Sequence, residues 1–329
     1  MRNTLIPVFI PHLGCPCACV FCNQKEITSC APPTPQEVAG QIEEALAKTK
    51  DPQIAFYGGS FTALEPGRQE AYLGAAAPFL KDGRCESIRV STRPDAIDGQ
   101  TAERLKRYGV KTVELGAQSM QDEVLLASRR GHTARQTQEA ARLLKQAGFE
   151  VILQMMAGLP LDSREKCRRT AQALCALQPD GVRIYPVCVL QDTALYESMR
   201  RGEYQPLSVE EAAEWCADAL ECFEKAGIPV IRIGLNPTEE LSGGAVAAGA
   251  YHPAMGEIVR SRLMRRKADE LIAAREESAL LLTVPQGRLS LLRGQKNSNM
   301  AYFAARWPDK KLTVREEPGQ SEALRCTGR

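Results

Sequence analysis

Residues 14–22 read Gly14-Cys15-Pro16-Cys17-Ala18-Cys19-Val20-Phe21-Cys22 and hold four of the chain's 12 cysteines. The N-terminal stretch lacks the long apolar region and small-residue cleavage site of an export signal. Cysteines crowded together in such a chain point to metal rather than to a disulfide scaffold. A structural zinc ion takes four ligands, usually as two separated pairs. No second C-x2-C exists here. His12 or Cys17 is available to complete a zinc site, but five crowded residues fit poorly around one tetrahedral ion. Cys15, Cys19 and Cys22 give C-x3-C-x2-C. Three thiolates on a four-iron cubane leave one iron open to a small molecule, unlike the four-cysteine clusters of electron transfer. Cys17, beside Pro16, leaves an alternative ligand set open.

Outward from this stretch, short β-rich runs at 5–10, 53–57, 87–91, 112–115, 150–156 and 181–187 alternate with helical patterns at 34–48, 67–80, 99–108, 134–147 and 164–177. Strands separated by helices pair in parallel, because parallel neighbours need crossover connections. In such folds functional residues gather at the C-terminal ends of strands. The cysteines follow the first run and Gly58-Gly59 the second. Arg93-Pro94, Gln118-Ser119 and Gly158-Leu159-Pro160 follow the next three, so one rim collects all five features. A helix over 208–226, apolar on one face, and a strand over 229–233 close this unit. The expected division is 1–235 for the α/β unit, 236–256 for a Gly/Ala-rich connection, and 257–329 for a small C-terminal α+β unit. With 44% hydrophobic and 25% charged residues the composition is that of an ordinary globular protein. No apolar run approaches the roughly 18 residues of a membrane span. A cytoplasmic protein with no membrane partner is expected, and the eight scattered cysteines read as small buried hydrophobes.

The C-x3-C-x2-C spacing, with Phe21 before the third cysteine, resembles the signature of the radical S-adenosylmethionine (SAM) superfamily. The resemblance implies a partial (β/α)6 TIM-type barrel, a [4Fe–4S] cluster on Cys15, Cys19 and Cys22, and S-adenosylmethionine on the open iron. It also implies reductive cleavage of that cofactor to a 5′-deoxyadenosyl radical, with electrons from a reductant such as flavodoxin or ferredoxin. Tyr57-Gly58-Gly59-Ser60-Phe61 then resembles the strip whose carbonyls bind the methionine ammonium, and Phe21 joins the cofactor contacts. The twelve-residue step from Gln118 to Arg130 resembles that of oxygen-independent coproporphyrinogen oxidase and its relatives. It implies that Arg130 pairs with the methionine carboxylate, a task suited to a guanidinium fork, and that Gln118 touches the cofactor.

Several motifs in one order narrow the likeness further. Ser-Thr-Arg93-Pro94-Asp95, Glu114-Leu-Gly-Ala-Gln118-Ser, Arg129-Arg130-Gly131-His132-Thr133, Arg-Ile-Tyr185-Pro186 and Gly202-Glu-Tyr204-Gln-Pro206 resemble the radical domain of the Elongator catalytic subunit, over residues 6–233. Ser91 stands where related enzymes often carry a Glu that grips the ribose. Gln154 occupies a place often held by Asp or His, and a hydrogen bond from it to the cofactor is retained. Elongator's acetyltransferase domain has no counterpart here, so acetyl transfer by this chain is not expected. Tyr185 and His132 lie near the rim without an assigned role, and no residue is assigned to quench the product radical.

From Gly256 onward the chain carries 15 Lys and Arg against 9 Asp and Glu, on a body of the opposite balance. A basic unit on an acidic body suits a polyanionic partner. An apolar strand at 279–284, a Gly-containing loop at 288–297, a helix at 298–306 and a strand at 311–315 resemble the core of a KH domain. In that core a G-x-x-G loop clamps a nucleic-acid backbone; here Asn297 replaces the second glycine. A small cap on the barrel is the alternative. The leading expectation is a radical enzyme acting on RNA, most readily tRNA, through this basic unit. The rivals are a radical enzyme for a small molecule or tetrapyrrole, and a non-catalytic iron–sulfur or zinc protein.

Overall fold

Alternation along the central strands divides the molecule into an apolar outside and a polar inside. The computed structural model describes residues 5–10, 15, 19–22, 32–49, 52–237, 241–321 and 323–328. Successive strand residues face opposite sides of a sheet. Ile54 and Phe56, Ile88 and Val90, Val113 and Leu115, Val151 and Leu153, and Val182 and Ile184 all join one buried apolar cluster. Next to them in the strands stand Gln53, Arg89, Glu114, Gln154 and Arg183, facing the other way. A parallel sheet is normally apolar on both faces. One polar face is therefore the first sign that its interior holds more than packing.

The strands are β1 (Leu5–Phe9), β2 (Gln53–Tyr57), β3 (Ser87–Thr92), β4 (Val110–Gln118), β5 (Glu150–Ala157), β6 (Gly181–Pro186) and β8 (Val230–Ile233). They pair in parallel in the order β1-β2-β3-β4-β5-β6-β8. Between them run α1 (Pro35–Leu46), α2 (Pro66–Lys81), α3 (Gly99–Arg107), α4 (Asp122–Ala127), α5 (Ala134–Gln146), α6 (Arg164–Cys175), α7 (Ala194–Arg200) and α8 (Val209–Lys225). This is an α/β partial barrel of TIM type. Thr34, Thr133 and Ser208 open α1, α5 and α8 with capping boxes closed by Glu37, Gln136 and Glu211, each cap worth about 1 kcal/mol.

Strand β4 carries an irregularity that matters below. Leu115 pairs with Leu153 but Gln118 with Met155, so β4 spends one residue more than β5 over the same span. Such a bulge frees backbone groups from the ladder and re-aims side chains.

The chain between the barrel and the C-terminal unit is more ordered than its glycines suggest. It forms β9 (Val246–Gly249), which pairs antiparallel with β7 (Cys188–Leu190). A Cβ on Gly249 would lie 2.8 Å from the Val187 carbonyl oxygen, so only glycine allows this approach. β7 and Ala248 pack with Val20, Phe21, Val124, Leu159 and Leu195 in a separate apolar cluster behind the cysteine turn.

Helix α9 (Met255–Ala273) serves two cores. Met255, Val259 and Leu263 are buried in the barrel core, while Ala268 and Ile272 belong to the C-terminal one. That second core lies under β10 (Ala279–Val284), α10 (Leu289–Arg293), α11 (Ser298–Arg306), β11 (Lys311–Glu316) and β12 (Arg325–Gly328). β10 is central, parallel to β11 and antiparallel to β12. β12 and the short α10 add to the expected elements. Of the scattered cysteines, Cys85, Cys167, Cys188, Cys216 and Cys326 are buried. No helix among the described residues is long and apolar enough to cross a membrane.

Candidate active site

The rim at the C-terminal ends of β1 to β5 is assembled around one guanidinium. Arg130 follows α4, where its backbone N–H donates to the Leu125 carbonyl at 3.0 Å. Its side chain reaches back over the sheet. One terminal nitrogen donates to the Gly116 carbonyl at 2.8 Å and the other to Cys19 Sγ at 3.3 Å. The Gly116 carbonyl is available because it lies in the β4 bulge. A Cβ there would lie 2.9 Å from Gln118 Nε2 and 3.1 Å from the Arg130 guanidinium, so any larger residue would push these two side chains aside. Arg130 Nε is buried and has no hydrogen-bond partner among the described residues, and a buried unpaired donor on a cation is expensive unless an acceptor arrives.

Arg93 fixes the other end of this arrangement. It is 3% exposed, forks onto Asp95 at 2.5 and 2.9 Å, and donates to the Arg130 backbone carbonyl at 2.7 Å. Its own N–H donates to Ser60 Oγ at 3.2 Å. Ser60 Oγ and Thr62 Oγ1 in turn meet Thr92 Oγ1 at 2.9 and 2.6 Å. The strand-end motifs of β2, β3 and β4 are therefore locked together by buried hydroxyls and one ion pair.

The cysteines sit over this rim. Cys19 is half-buried, while Cys15 and Cys22 are exposed. The turn between Cys19 and Cys22 closes with Cys22 N–H on the Cys19 carbonyl at 3.1 Å. Val20 pins it on both sides, its N–H donating to Ser128 and its carbonyl accepting from Leu195 N–H at 2.8 Å. Although Cys15 as a residue is exposed, protein crowding its sulfur raises the thiol's pKa, and Cys19 adds to the rise. Arg93, Arg130 and the Ser60 backbone N–H pull the other way. Two cations and a backbone donor thus face the thiols. Among the described residues, no three His, Cys, Asp or Glu side chains are gathered to hold a single metal ion. A four-iron cubane is wider than an ion, and the Cys15 and Cys19 thiols beside two guanidiniums are suited by charge to an anionic group. Cys17 and His12, raised above as alternative ligands, lie outside the described residues.

The expected cofactor residues fall as follows. Gly58, at φ 93°, and Gly59 turn the chain out of β2 toward buried Ser60. Gln118 is 5% exposed at φ 61°, and its Oε1 accepts from Gln154 Nε2 at 3.3 Å. Ser91 is half-buried on the polar face of β3, in register with Glu114. Phe21 lies apart from these, half-buried against the β7 cluster. His132 is buried, its Nε2 at 3.2 Å from the other bulge carbonyl, Ala117, and its Nδ1 unpaired. Burial and the neighbouring Arg130 charge push its pKa down to about 4, so the ring is neutral.

Sequence reasoning missed two arrangements. On the polar face, Glu114 Oε1 accepts from Tyr57 at 3.1 Å, Arg89 at 2.6 Å and Arg183 at 2.8 Å. Two cations against one carboxylate leave this floor positive, and Arg183 Nε is buried and unpaired. Glu114, Arg183 and Tyr185 all stood inside quoted motifs. The signal for their contact was one charged residue set between apolar neighbours in each of three strands, Arg89 in β3, Glu114 in β4 and Arg183 in β6. Second, Asp162 clamps the turn after β5, accepting from Gly158 N–H at 3.1 Å and Ser163 N–H at 2.9 Å. Tyr204 donates to the Gly158 carbonyl at 2.6 Å. Burial pushes the Asp162 carboxyl up to about 6, against these N–H groups and Lys166.

Known proteins place this geometry. The Radical SAM superfamily pattern matches residues 9–174, half of the chain, and the Radical_SAM C-terminal domain matches residues 179–265. A tRNA uridine(34) acetyltransferase of Methanocaldococcus jannaschii is 31% identical over 205 residues, covering 56% of this chain and 38% of that protein. Elongator complex protein 3 of Schizosaccharomyces pombe is 28% identical over 193 residues, 52% of this chain and 36% of its own length. The chain therefore spans less than two fifths of the length of these two relatives. The solved Methanocaldococcus infernus Elp3 with an N-terminal deletion superposes with a TM-score of 0.63 at 25% identity, covering 82% of this chain and 64% of that one. With half its length inside the superfamily match, and strand-end motifs gathered on one rim, the chain belongs to the radical SAM superfamily and is an enzyme of that class, similar over this domain to the Elongator catalytic subunit.

Proposed function

We propose that Cys15, Cys19 and Cys22 hold a [4Fe–4S] cluster and that the rim binds S-adenosylmethionine for radical modification of a tRNA. Bound there, the two cofactors together supply reductive cleavage to a 5′-deoxyadenosyl radical. The observation that carries the reading is Arg130, which ties Cys19 to the β4 bulge and keeps a buried Nε without an acceptor. A carboxylate beside the open iron satisfies that nitrogen, and Arg93 holds the guanidinium at the right depth through the Arg130 carbonyl. Gly58, Gly59 and Ser60 offer backbone groups to the ammonium. Gln118 and Gln154, already bonded to each other, orient the nucleoside with Ser91, and Phe21 braces the cysteine turn from the β7 cluster. The protein's contribution is orientation and the exclusion of water.

Support for tRNA is of two kinds. The name of one curated relative places its action on tRNA uridine 34. In addition, 257–329, proposed as a separate KH-like unit, has helix, turn, helix between two parallel strands, with Asn297 at φ 60°. That left-handed conformation is the one the replaced glycine would supply, and Asn tolerates it best after glycine. The acetyl transfer of the relatives is not carried over, and a reductant of the flavodoxin or ferredoxin type is the proposed electron source. Anaerobic reconstitution, reduction and quantification of 5′-deoxyadenosine test the reading. Formation in the native protein, and its loss in Cys19→Ala, are expected. Reconstituted protein that binds iron and S-adenosylmethionine yet forms none overturns it.

A further inference from the structure

Where the barrel meets the C-terminal unit lies a cleft of about 450 Å³ that the radical chemistry does not use. Leu220 of α8, Leu263 and Met264 of α9, and Leu291 of α10 give it apolar walls. Three cations line it: Arg260, Lys267 and Arg288. Its one carboxylate among the described lining residues, Glu224, is taken by Lys267 at 2.9 Å. Arg260 is half-buried, and its side-chain hydrogen bond goes to a neutral group, the Val230 carbonyl at 3.2 Å. Arg288 is exposed and has no side-chain hydrogen bond or ion pair among the described residues. Desolvation lowers the Arg260 pKa, the Glu224 carboxylate partly opposes this, and the like charge of Arg288 adds to the lowering.

The contrast with the rest of α9 gives this weight. Arg262, Arg265 and Arg266 on the same helix all meet Glu214 of α8. The fold therefore neutralises the cations it needs for docking, whereas Arg260 and Arg288 face one cleft whose single carboxylate among the described residues, Glu224, is already bonded to Lys267. Partly burying a cation beside another is unfavourable unless an anion joins them. The lining holds no aromatic side chain on which a base could stack, so phosphate and ribose fit it better than a nucleobase.

We propose that this cleft is a phosphodiester subsite for RNA, with Arg260 and Arg288 each taking a phosphate. The proposal rests on the tRNA reading above. Titrating bulk tRNA into the full-length protein at several salt concentrations tests it. Arg260→Gln/Arg288→Gln is expected to weaken binding tenfold or more and to flatten the salt dependence by about 1.5 to 2 ions released. Arg288→Gln alone, at an exposed position, gives a smaller change of the same sign if the double variant folds poorly. Arg135→Gln on α5, which does not line the cleft, is expected to bind as the native chain does. Equal affinity and salt slope in native and cleft variants overturn the subsite, as does an equal loss in Arg135→Gln, or native protein that binds no RNA. The tRNA-substrate reading fails on a separate result, nucleoside profiles unchanged in tRNA from a strain lacking the gene.

Discussion

At the residue scale, the rim contains two buried titratable groups whose shifts run in opposite directions. His132, held at about 4 by burial and Arg130, binds its proton less readily folded than unfolded. Its neutral form contributes stability that is fully present above pH 6.5 and is lost as pH falls through 4. Arg93 and Asp95 also face it, with opposite signs. Asp162, at about 6, behaves conversely: its contribution is present below the ordinary 3.8 and is lost as pH rises through 6, with Lys166 the charge beside it. Each shift is worth about 3 kcal/mol between its limits. Between roughly pH 4 and 6 the two slopes oppose one another in the native protein. Asp162→Asn should make unfolding free energy rise more steeply with pH across this window, and His132→Gln should make it fall relative to the native chain. Urea unfolding of the three proteins from pH 4 to 7 measures this, and curves parallel to the native one would disprove both assignments. The sequence exposed the motif around His132 but not its state, because burial and the bulge carbonyl of Ala117 depend on contacts that the order of residues does not show.

At the element scale, α9 shows what charge counting reads and what it misses. The excess of Lys and Arg after Gly256 pointed to a polyanionic partner, yet Arg262, Arg265 and Arg266 are consumed by Glu214, and Arg266 also holds Asp218 at 2.5 Å. Burial raises the Glu214 and Asp218 pKa values, but Arg266 and its neighbours more than offset this and leave both below the usual carboxylate range. Arg266→Met is therefore expected to destabilise the protein by about 1 kcal/mol, since it removes the one guanidinium shared by both half-buried carboxylates while Arg262 and Arg265 remain on Glu214 and Arg164 on Asp218. Glu214→Gln should cost less. Thermal unfolding at low and high salt checks this, with an effect that persists at high salt expected for a partly buried network. The central strands and helices were legible because apolar alternation and caps such as Thr133 with Gln136 are local signals. β7, β9 and β12 were not, since each is held by partners far along the chain. The cysteine spacing marked its site plainly. The Gly116 bulge, which gives Arg130 its anchor, looked like any glycine between strand residues.

At the scale of the whole molecule, the sequence division at 256 and 257 cuts through one continuous helix. A helix of 19 residues spans about 28 Å, and α9 spends that length bridging two cores. Val259, fully buried, and Leu263, 3% exposed, pack in the barrel core, while Ala268 and Ile272, both fully buried, pack under the C-terminal sheet. Asn299 ties the junction further, its Nδ2 donating to Ser261 Oγ at 2.9 Å and to the Leu292 carbonyl at 3.1 Å. Deleting 257–329 would strip the barrel of two core side chains and of the Arg262, Arg265 and Arg266 partners of Glu214 and Asp218, leaving only Arg164 among the described residues. Losing two buried aliphatic side chains alone costs about 2–5 kcal/mol, a large part of the stability of an ordinary domain. The chain is therefore expected to unfold in a single cooperative transition, with barrel and C-terminal probes coincident. A protein ending at residue 256 should expose apolar surface and aggregate, whereas one ending at residue 275 should retain a folded barrel. Trp215 on α8 and Trp307 after α11 report on the two units separately. Single-tryptophan variants (Trp215→Phe and Trp307→Phe) that melt at clearly different temperatures would show two independent domains and refute the bridging role of α9.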